Sequence, residues 1–243
     1  MMHRALLLAR ATMIAAAIGG VLTAPRTLHA QTTIPGSPNV EPTRIRYGTF
    51  EYTLIVLREG EEQIVGSLTD EILPIRGEAV INRVQTIKRS GGPFIDSTVT
   101  DAETLAPRWH HGVQPKRSIL LEFAGTKVSG SISVPNTKDK AVDVTLPDQA
   151  FDASNWDLAI RALPLEDGDA AVIQVYDVDQ QLHRYNVRVA ERDMRGRSYV
   201  IHVIVQLGKN NEAHVWFDDL TRTLLRIETA IGPGVLLRQI LKP

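Results

Sequence analysis

The sequence predicts a mainly β (α+β) fold: a large curved antiparallel sheet or half-open barrel, with one central helix near residues 152–163. Three observations support this prediction. Many short segments alternate apolar and polar residues, turn residues separate these segments at short intervals, and a single segment has helical spacing instead. No regular alternation of strands with helices follows, which argues against an α/β enzyme fold.

The strands are predicted from period-two alternation. Between residues 199 and 207 every second side chain is apolar. Four further segments repeat the pattern: 119–123, 142–146, 185–189 and 225–231. Such alternation, rich in β-branched residues, is typical of strands with one face on a core and the other toward water. Residues 52–57 are apolar on both faces, so we expect that strand to be central.

One segment breaks this rhythm and predicts the helix. Its apolar residues follow the i, i+3, i+4, i+7 spacing of an amphipathic helix: Trp156, Ala159, Ile160 and Leu163. Asp152 or Ser154 can cap its first turn, and Pro164 forces the preceding residue out of helical geometry. We therefore expect a helix of about three turns whose apolar face lies against the sheet.

The amino-terminal residues predict export. Arg4 and Arg10 precede an apolar run over residues 11–24, and Ala30 is the small residue that signal peptidase requires. That run is too short to span the hydrocarbon core of a bilayer comfortably. We predict a signal peptide over residues 1–30; an uncleaved anchor and a short buried helix are the alternatives.

The remaining chain divides into a flexible lead-in over residues 31–43, which contains three prolines, and a single β-rich domain over residues 44–243. Loss of the signal peptide removes three of 27 basic residues and none of 28 acidic ones, which leaves a formal charge of −4. This balance does not favour nucleic acid as a partner. No second apolar run is long enough to cross a membrane, so we expect a periplasmic or secreted protein.

The residue types available exclude several chemistries. The chain has no cysteine, so it forms no disulfide and uses no thiol catalysis, and we expect no lipid anchor. His110 and His111 are neighbours on a predicted strand and point to opposite faces, so they do not share a metal ion. We predict no metal, no cofactor and no catalytic residue. A periplasmic hydrolase that uses His110 or His111 with nearby carboxylates is the least favoured alternative.

Several stretches resemble a known family. Residues 101–107 match its Asp-x-x-Thr-Leu-x-Pro sequence, residues 151–165 match its central helix with a Leu-Pro-Leu exit, and residues 215–227 match its last Val-Trp strand, turn and arginine. From about Tyr47 to Leu241 the chain resembles an uncharacterised family of exported bacterial proteins, a domain of unknown function. The resemblance implies the half-open barrel of the lipoprotein-carrier superfamily and carries no catalytic signature.

A curved sheet with one small helix has difficulty covering its concave face, and an uncovered apolar face marks a ligand or partner site. We predict that four large apolar residues line such a site: Trp109, Trp156, Ile160 and Trp216. The favoured function is a non-enzymatic exported envelope protein that binds an apolar or lipid-like ligand, or docks an envelope protein partner. The alternative from another class is a cell-envelope scaffold with a filled core and no ligand cavity.

Overall fold

The fold is described from a computed structural model of the chain, which describes residues 32–179 and 181–243. The predicted signal peptide lies outside these residues. None of the helices in the described ranges is long and apolar enough to cross a membrane.

Within the described residues, 16 strands belong to one large, curved and unclosed sheet. The strands are β1 (Thr32–Thr33), β2 (Gly48–Arg58), β3 (Glu61–Pro74), β4 (Val80–Arg89), β5 (Phe94–Asp101), β6 (Pro107–Gln114), β7 (Arg117–Ala124), β8 (Lys127–Ser133), β9 (Lys140–Thr145), β10 (Phe151–Asp152), β11 (Ala170–Asp177), β12 (Gln181–Arg195), β13 (Ser198–Gly208), β14 (Asn211–Asp218), β15 (Leu224–Gly232) and β16 (Val235–Leu241). The predicted mainly β fold class is therefore confirmed.

Two antiparallel meanders make up most of the sheet. Strands β2 to β9 pair in sequence order, and so do β11 to β16. The last strand, β16, then pairs with β2, so that β2 lies in the middle of the sheet, as its apolar character predicts. The short strands β1 and β10 both run parallel to β11 along its other edge. The connection from β9 to β11 carries the helix across the concave face.

The helix lies at the predicted place but is shorter than the expected span of residues 152–163. A 3₁₀ turn over Ala153–Asn155 leads directly into α1 (Trp156–Arg161). The Asp152 carboxylate caps this turn by accepting a hydrogen bond from the Ser154 backbone N–H at 2.7 Å. The regular α-helical part is therefore less than two turns long, because the first turn is wound more tightly.

The apolar face of α1 fills much of the concave side of the sheet. Leu158 and Ile160 are at most 1% exposed and belong to the main core cluster. The cluster takes its sheet residues from both meanders, among them Tyr52 from β2, Ile201 from β13 and Phe217 from β14. Burial of each large side chain stabilises the fold by about 1.5–3 kcal/mol. The short helix thus links the two meanders through their shared core.

A second apolar cluster covers the opposite face of β11. Tyr176 packs there with Ile119 and Leu121 of β7, so β11 is covered on both sides. Arg117 at the start of β7 donates two hydrogen bonds to Asp179, in the turn after β11, at 2.8 and 2.7 Å. These contacts bring the far end of the first meander against the start of the second.

Residues 32–43, the described part of the lead-in predicted over residues 31–43, lie along the edge of the second meander. β1 pairs with β11, and both Thr33 and Val40 are buried. The Glu41 backbone N–H donates to the carbonyl oxygen of Ala162, just beyond α1, at 2.9 Å. The domain boundary at residue 44 stays a prediction from the sequence.

Candidate functional site

An ion cluster is buried between the sheet and α1; we call it the inner cluster (Asp70, Arg83, Asp157 and Arg161). Arg83 donates from Nε and Nη2 to the two oxygens of Asp70, at 2.8 Å each. It also donates to both oxygens of Asp157, from Nη1 at 2.6 Å and from Nη2 at 3.0 Å. The side chains of these three residues are at most 6% exposed. The cluster therefore ties β3 and β4 to the helix.

Mutual compensation decides the charge states in the inner cluster. Burial disfavours the charged form of Arg83, but Asp157 and Asp70 outweigh burial and raise its pKa well above the usual value. Burial likewise acts to raise the pKa of Asp157, but Arg83 and Arg161 reverse this and lower it. Burial lowers the pKa of Arg161, whose contact with Asp157 is longer, at 3.4 Å. The cluster thus balances two cations with two anions.

The positions of these charges carry a signal that the periodicity analysis missed. Asp70 stands between Leu68 and Ile72 on the inner face of β3, and Arg83 is paired directly with Ile72 on the neighbouring strand. A charged residue on the apolar face of each of two successive strands indicates a buried ion pair, because an unpaired charge is costly to bury. Nothing local indicates that Asp157 joins them, since it lies 74 residues from Arg83 in the chain.

A cavity of about 360 Å³ opens beside the inner cluster, between α1 and the concave face. One part of its wall is apolar: Trp156, Leu224, Ile227 and Leu237. Another part is polar: Arg83, Gln85, Asp96, Ser154 and Gln239. The Nε2 atom of Gln239 is buried and has no hydrogen-bond partner within the described part of the chain. Leaving a buried donor unpaired costs free energy, so this atom indicates a position for an acceptor group.

His110 stands behind the polar wall of this cavity. Its Nδ1 lies 3.0 Å from Asp152 Oδ2, and its Nε2 lies 3.4 Å from both Asp96 Oδ1 and Ser154 Oγ. The contact with Asp152 is ionic rather than a well-aligned hydrogen bond. Gly112, on the same face of β6, leaves room for this arrangement, since a Cβ there would lie 2.7 Å from Asp96 Oδ1.

Ser154, His110 and Asp152 have the connectivity of a hydrolase triad but not its charge state. Burial acts to lower the pKa of His110, but Asp152 and Asp96 together raise it to about 10. The imidazole is therefore a cation at neutral pH and has no lone pair with which to accept the Ser154 proton. The positively charged His110 imidazole therefore pairs with the Asp152 and Asp96 carboxylates and orients the Ser154 hydroxyl. It does not activate Ser154 as a nucleophile.

The four residues predicted to line a ligand site do not come together. Trp156 lines the cavity, whereas Ile160 is fully buried in the core cluster. Trp109 lies on the outer face of β6, where its ring centroid is 5.7 Å from that of His111. Trp216 lies on the outer face of β14, because the residues on either side of it point into the core. Of the four, Trp156 faces the cavity.

Comparison with known families places the chain. The model of a family described as "Protein of unknown function (DUF3108)" matches residues 44–238. The chain belongs to this family. The resemblance seen in the sequence is thereby confirmed at the level of a domain of unknown function. None of the curated proteins matches the chain.

Among solved structures, this member of the DUF3108 family is similar to a "putative lipoprotein" from Parabacteroides distasonis. The two sequences are 11% identical, and the alignment covers 87% of this chain and 98% of the other. The TM-score of the superposition is 0.24.

The outer face of the second meander in this DUF3108 protein carries a ring stack that sequence analysis missed. His202 on β13 and Trp216 on β14 are directly paired, and their rings stack at 4.3 Å between centroids with an interplanar angle of 9°. His214 lies diagonally, with its Nδ1 3.0 Å from Nε2 of His202. The register of the β13–β14 hairpin decides which positions meet, and composition alone does not supply that register.

Proposed function

We propose that this member of the DUF3108 family is a non-enzymatic envelope protein that binds an amphipathic, lipid-like ligand in the cavity beside α1. The observation that carries the proposal is the unpartnered Gln239 amide on a wall that also presents Trp156 and Leu237. A ligand with an apolar chain and an acceptor oxygen would satisfy both surfaces. The cavity volume of about 360 Å³ lies within the range of small-molecule sites, about 300–1,000 Å³.

The polar wall favours a particular kind of head group. Gln239 offers a donor, and the Asp96 carboxylate and Ser154 hydroxyl offer acceptors. Arg83 also reaches this wall, but two carboxylates already compensate its charge. A hydroxyl- or amide-bearing head group therefore fits better than a phosphate or a carboxylate, which would lack a free cation.

The predicted location and the family resemblance support the same proposal. The predicted signal peptide over residues 1–30 would deliver the chain to the periplasm or the outside of the cell, where envelope lipids are accessible. A curved sheet with a helix on its concave side is also what the resemblance to the lipoprotein-carrier superfamily implies. We include in this proposal that the chain is related to the lipoprotein-carrier superfamily.

The direct test is a lipid extraction of the purified chain followed by mass spectrometry. We expect an amphiphile with an uncharged polar head to co-purify with the protein. In a chain that carries Trp109→Phe and Trp216→Phe, a brominated fatty alcohol should quench the fluorescence of Trp156, because that ring lines the cavity. An empty extract together with unchanged Trp156 fluorescence would count decisively against the proposal.

Two neighbouring leucines provide a matched pair of variants. Leu237 faces the cavity, whereas Leu236 is exposed on the other face of the same strand. In the same Trp156-only background, Leu237→Phe should narrow the cavity and weaken quenching by the brominated probe, and Leu236→Phe should leave it intact. Equal effects of the two substitutions would indicate binding at some other place.

A second candidate is an envelope scaffold that docks a protein partner. It is favoured by large apolar side chains that stand in solvent: Ile64 is 72%, Met194 67% and Leu220 82% exposed. Crosslinking in living cells separates the two functions. The scaffold predicts a crosslinked protein and no extractable amphiphile, whereas the carrier predicts the reverse.

A further inference from the structure

We propose that the head group bound in the cavity beside α1 is a sugar or another polyol, which makes the expected ligand a neutral glycolipid. The inference rests on the proposed function and names the chemical class of the head group for the same cavity. Three polar side chains that meet at one side of the cavity carry it; we call them the polar corner (Gln85, Asp96 and Ser154).

The polar corner is built by two strands and by the turn that precedes α1. Gln85 on β4 and Asp96 on β5 are directly paired, so their side chains leave the sheet side by side on the concave face. Ser154 enters from the 3₁₀ turn, which the Asp152 carboxylate caps. The Nε2 atom of His110 lies 3.4 Å from both Asp96 Oδ1 and Ser154 Oγ, and it therefore holds these two groups near each other.

Hydroxyl groups match the hydrogen bonds that the polar corner offers. The Gln85 amide both donates and accepts, the Ser154 hydroxyl does the same, and the Asp96 carboxylate accepts. His110 contacts Oδ1 of Asp96, which leaves Oδ2 for a ligand. A single alcohol group cannot satisfy three neighbouring side chains. The adjacent hydroxyls of a polyol each donate one hydrogen bond and accept others, so together they satisfy all three.

The charges round the polar corner disfavour an ionic head group. Arg83 already binds two carboxylates, so an anion finds no free cation on this wall. Asp96 already has His110 beside it, so a ligand ammonium group would have to share this carboxylate with the imidazole. An ammonium group also accepts no hydrogen bond from an amide or hydroxyl donor. A neutral head group with several hydroxyls avoids both conflicts.

The other walls of the cavity suit the remaining parts of a glycolipid. On β16, the Nε2 atom of Gln239, which has no partner among the described residues, is a further donor for a hydroxyl or ring oxygen. Trp156 lines the cavity, and its ring packs edge-on against Tyr185 at 6.5 Å between centroids and 80° between planes. A sugar ring has C–H groups on its faces and hydroxyls on its rim, so it suits a cavity with both an indole and polar side chains. Leu224 and Leu237 remain for the alkyl chain.

Three probes with the same alkyl chain test the head group: octanol, octyl glucoside and octylamine. Each competes, below the concentration at which it forms micelles, with the brominated fatty alcohol in the chain that carries Trp109→Phe and Trp216→Phe. We expect octyl glucoside to restore Trp156 fluorescence at a concentration about tenfold lower than octanol, because several additional hydrogen bonds form. Octylamine should be no better than octanol.

The outcomes separate this inference from the proposed function. If octanol displaces the brominated probe and octyl glucoside is no better, or if octylamine is the best competitor, the polyol head group is wrong and lipid binding stands. If the brominated probe never quenches Trp156, both the head group and the proposed function are wrong.

Two glutamines provide a matched pair of variants. Gln85 belongs to the polar corner, whereas Gln63 is exposed on β3 and lies outside the cavity. Gln85→Met, which removes the amide, should abolish the advantage of octyl glucoside and leave the affinity for octanol unchanged. Gln63→Met should change neither. An equal loss for both ligands in Gln85→Met would overturn the assignment of this corner to the head group. Where Gln85→Met fails to fold, the three probes on the chain with Gln85 intact still decide the question.

Discussion

Two clusters of arginine and carboxylate lie on opposite faces of the same sheet, and their surroundings differ sharply. The inner cluster is enclosed by α1 and the concave face. The outer cluster (Glu62, Arg226, Glu228 and Arg238) crosses β3, β15 and β16 on the convex face, where Glu228 accepts from both Arg226 and Arg238. Glu62 is 53% exposed there, whereas Asp70 in the inner cluster is fully buried.

The difference shows how position rather than residue type decides the importance of an ion pair. In the inner cluster every charge has lost its water, so removal of one partner leaves another charge buried and unpaired. In the outer cluster Glu62 and Arg226 are open to water and salt, and Glu228 and Arg238 keep partial contact with solvent, so water takes over part of the role of a lost partner. The inner cluster therefore specifies how helix and sheet fit together, and the outer cluster adds little to stability.

Arg83→Met tests the largest expected effect. The substitution leaves the Asp70 carboxylate buried without a cation and leaves Asp157 only its longer contact with Arg161, and we expect the free energy of unfolding to fall by about 3–5 kcal/mol. Urea unfolding followed by circular dichroism measures this loss. The free energy of unfolding of Arg83→Lys should lie between those of the unmutated chain and Arg83→Met. A lysine keeps the positive charge, but its ammonium group does not bind both carboxylates in a bidentate manner. A loss as small as that of an exposed arginine would contradict the comparison.

His110 predicts a dependence of stability on alkaline pH. Because its pKa is raised to about 10 in the folded protein, the stabilisation is complete below about pH 6.5 and is lost as pH rises toward 10. The expected loss between pH 6 and pH 10 is about 4 kcal/mol. Unfolding of the unmutated chain and of His110→Gln should be compared between pH 6 and pH 10. Their difference should shrink steadily with pH; a constant difference would show that His110 is neutral.

Gly112→Ala tests the arrangement around His110 more gently. A Cβ at this position would lie 2.7 Å from Asp96 Oδ1, so Asp96 must move away from the imidazole. His110 would then keep Asp152 as its near carboxylate, and its pKa should fall from about 10. Loss of the charged contact should cost about 1–2 kcal/mol. A titration of His110 followed by nuclear magnetic resonance measures the shift, and an unchanged pKa would show that Asp96 contributes nothing.

Arg238→Gln on the outer face tests the smallest effect. Its partners, Glu62 and Glu228, are partly exposed, so the free energy of unfolding should change by about 1 kcal/mol or less. Added salt should reduce even this difference, because it screens exposed charges. A loss comparable to that of Arg83→Met would remove the distinction between the two clusters.

Much of the fold could be predicted from the sequence because its signals are local. Alternation over residues 199–207 marks one face of β13, and the spacing from Trp156 to Leu163 marks the helix position. The length of the helix could not be read in the same way, since its first turn is 3₁₀ and the spacing of apolar residues does not distinguish the two windings.

The candidate site was only partly accessible to sequence reasoning. Trp156 was identified as a candidate and does line the cavity, whereas Gln239 gave no signal, because a glutamine on a strand reads as a solvent-facing residue. Trp109 and Trp216 are large and aromatic, but strand alternation places both on the outer face. Residue type shows what a side chain is able to do, and only its face shows where it acts.

By itself the sequence determined the class of fold and the place of the helix, because strands and helices repeat every two and 3.6 residues and these periods are visible in neighbouring positions. Short sequence motifs likewise determined the family. Only the tertiary structure decided which polar groups meet. Asp157 reaches Arg83 because the helix crosses the concave face, and His202 reaches His214 because of the register of one hairpin. Strand register and sheet curvature bring distant positions within bonding distance, and both depend on the packing of the whole domain.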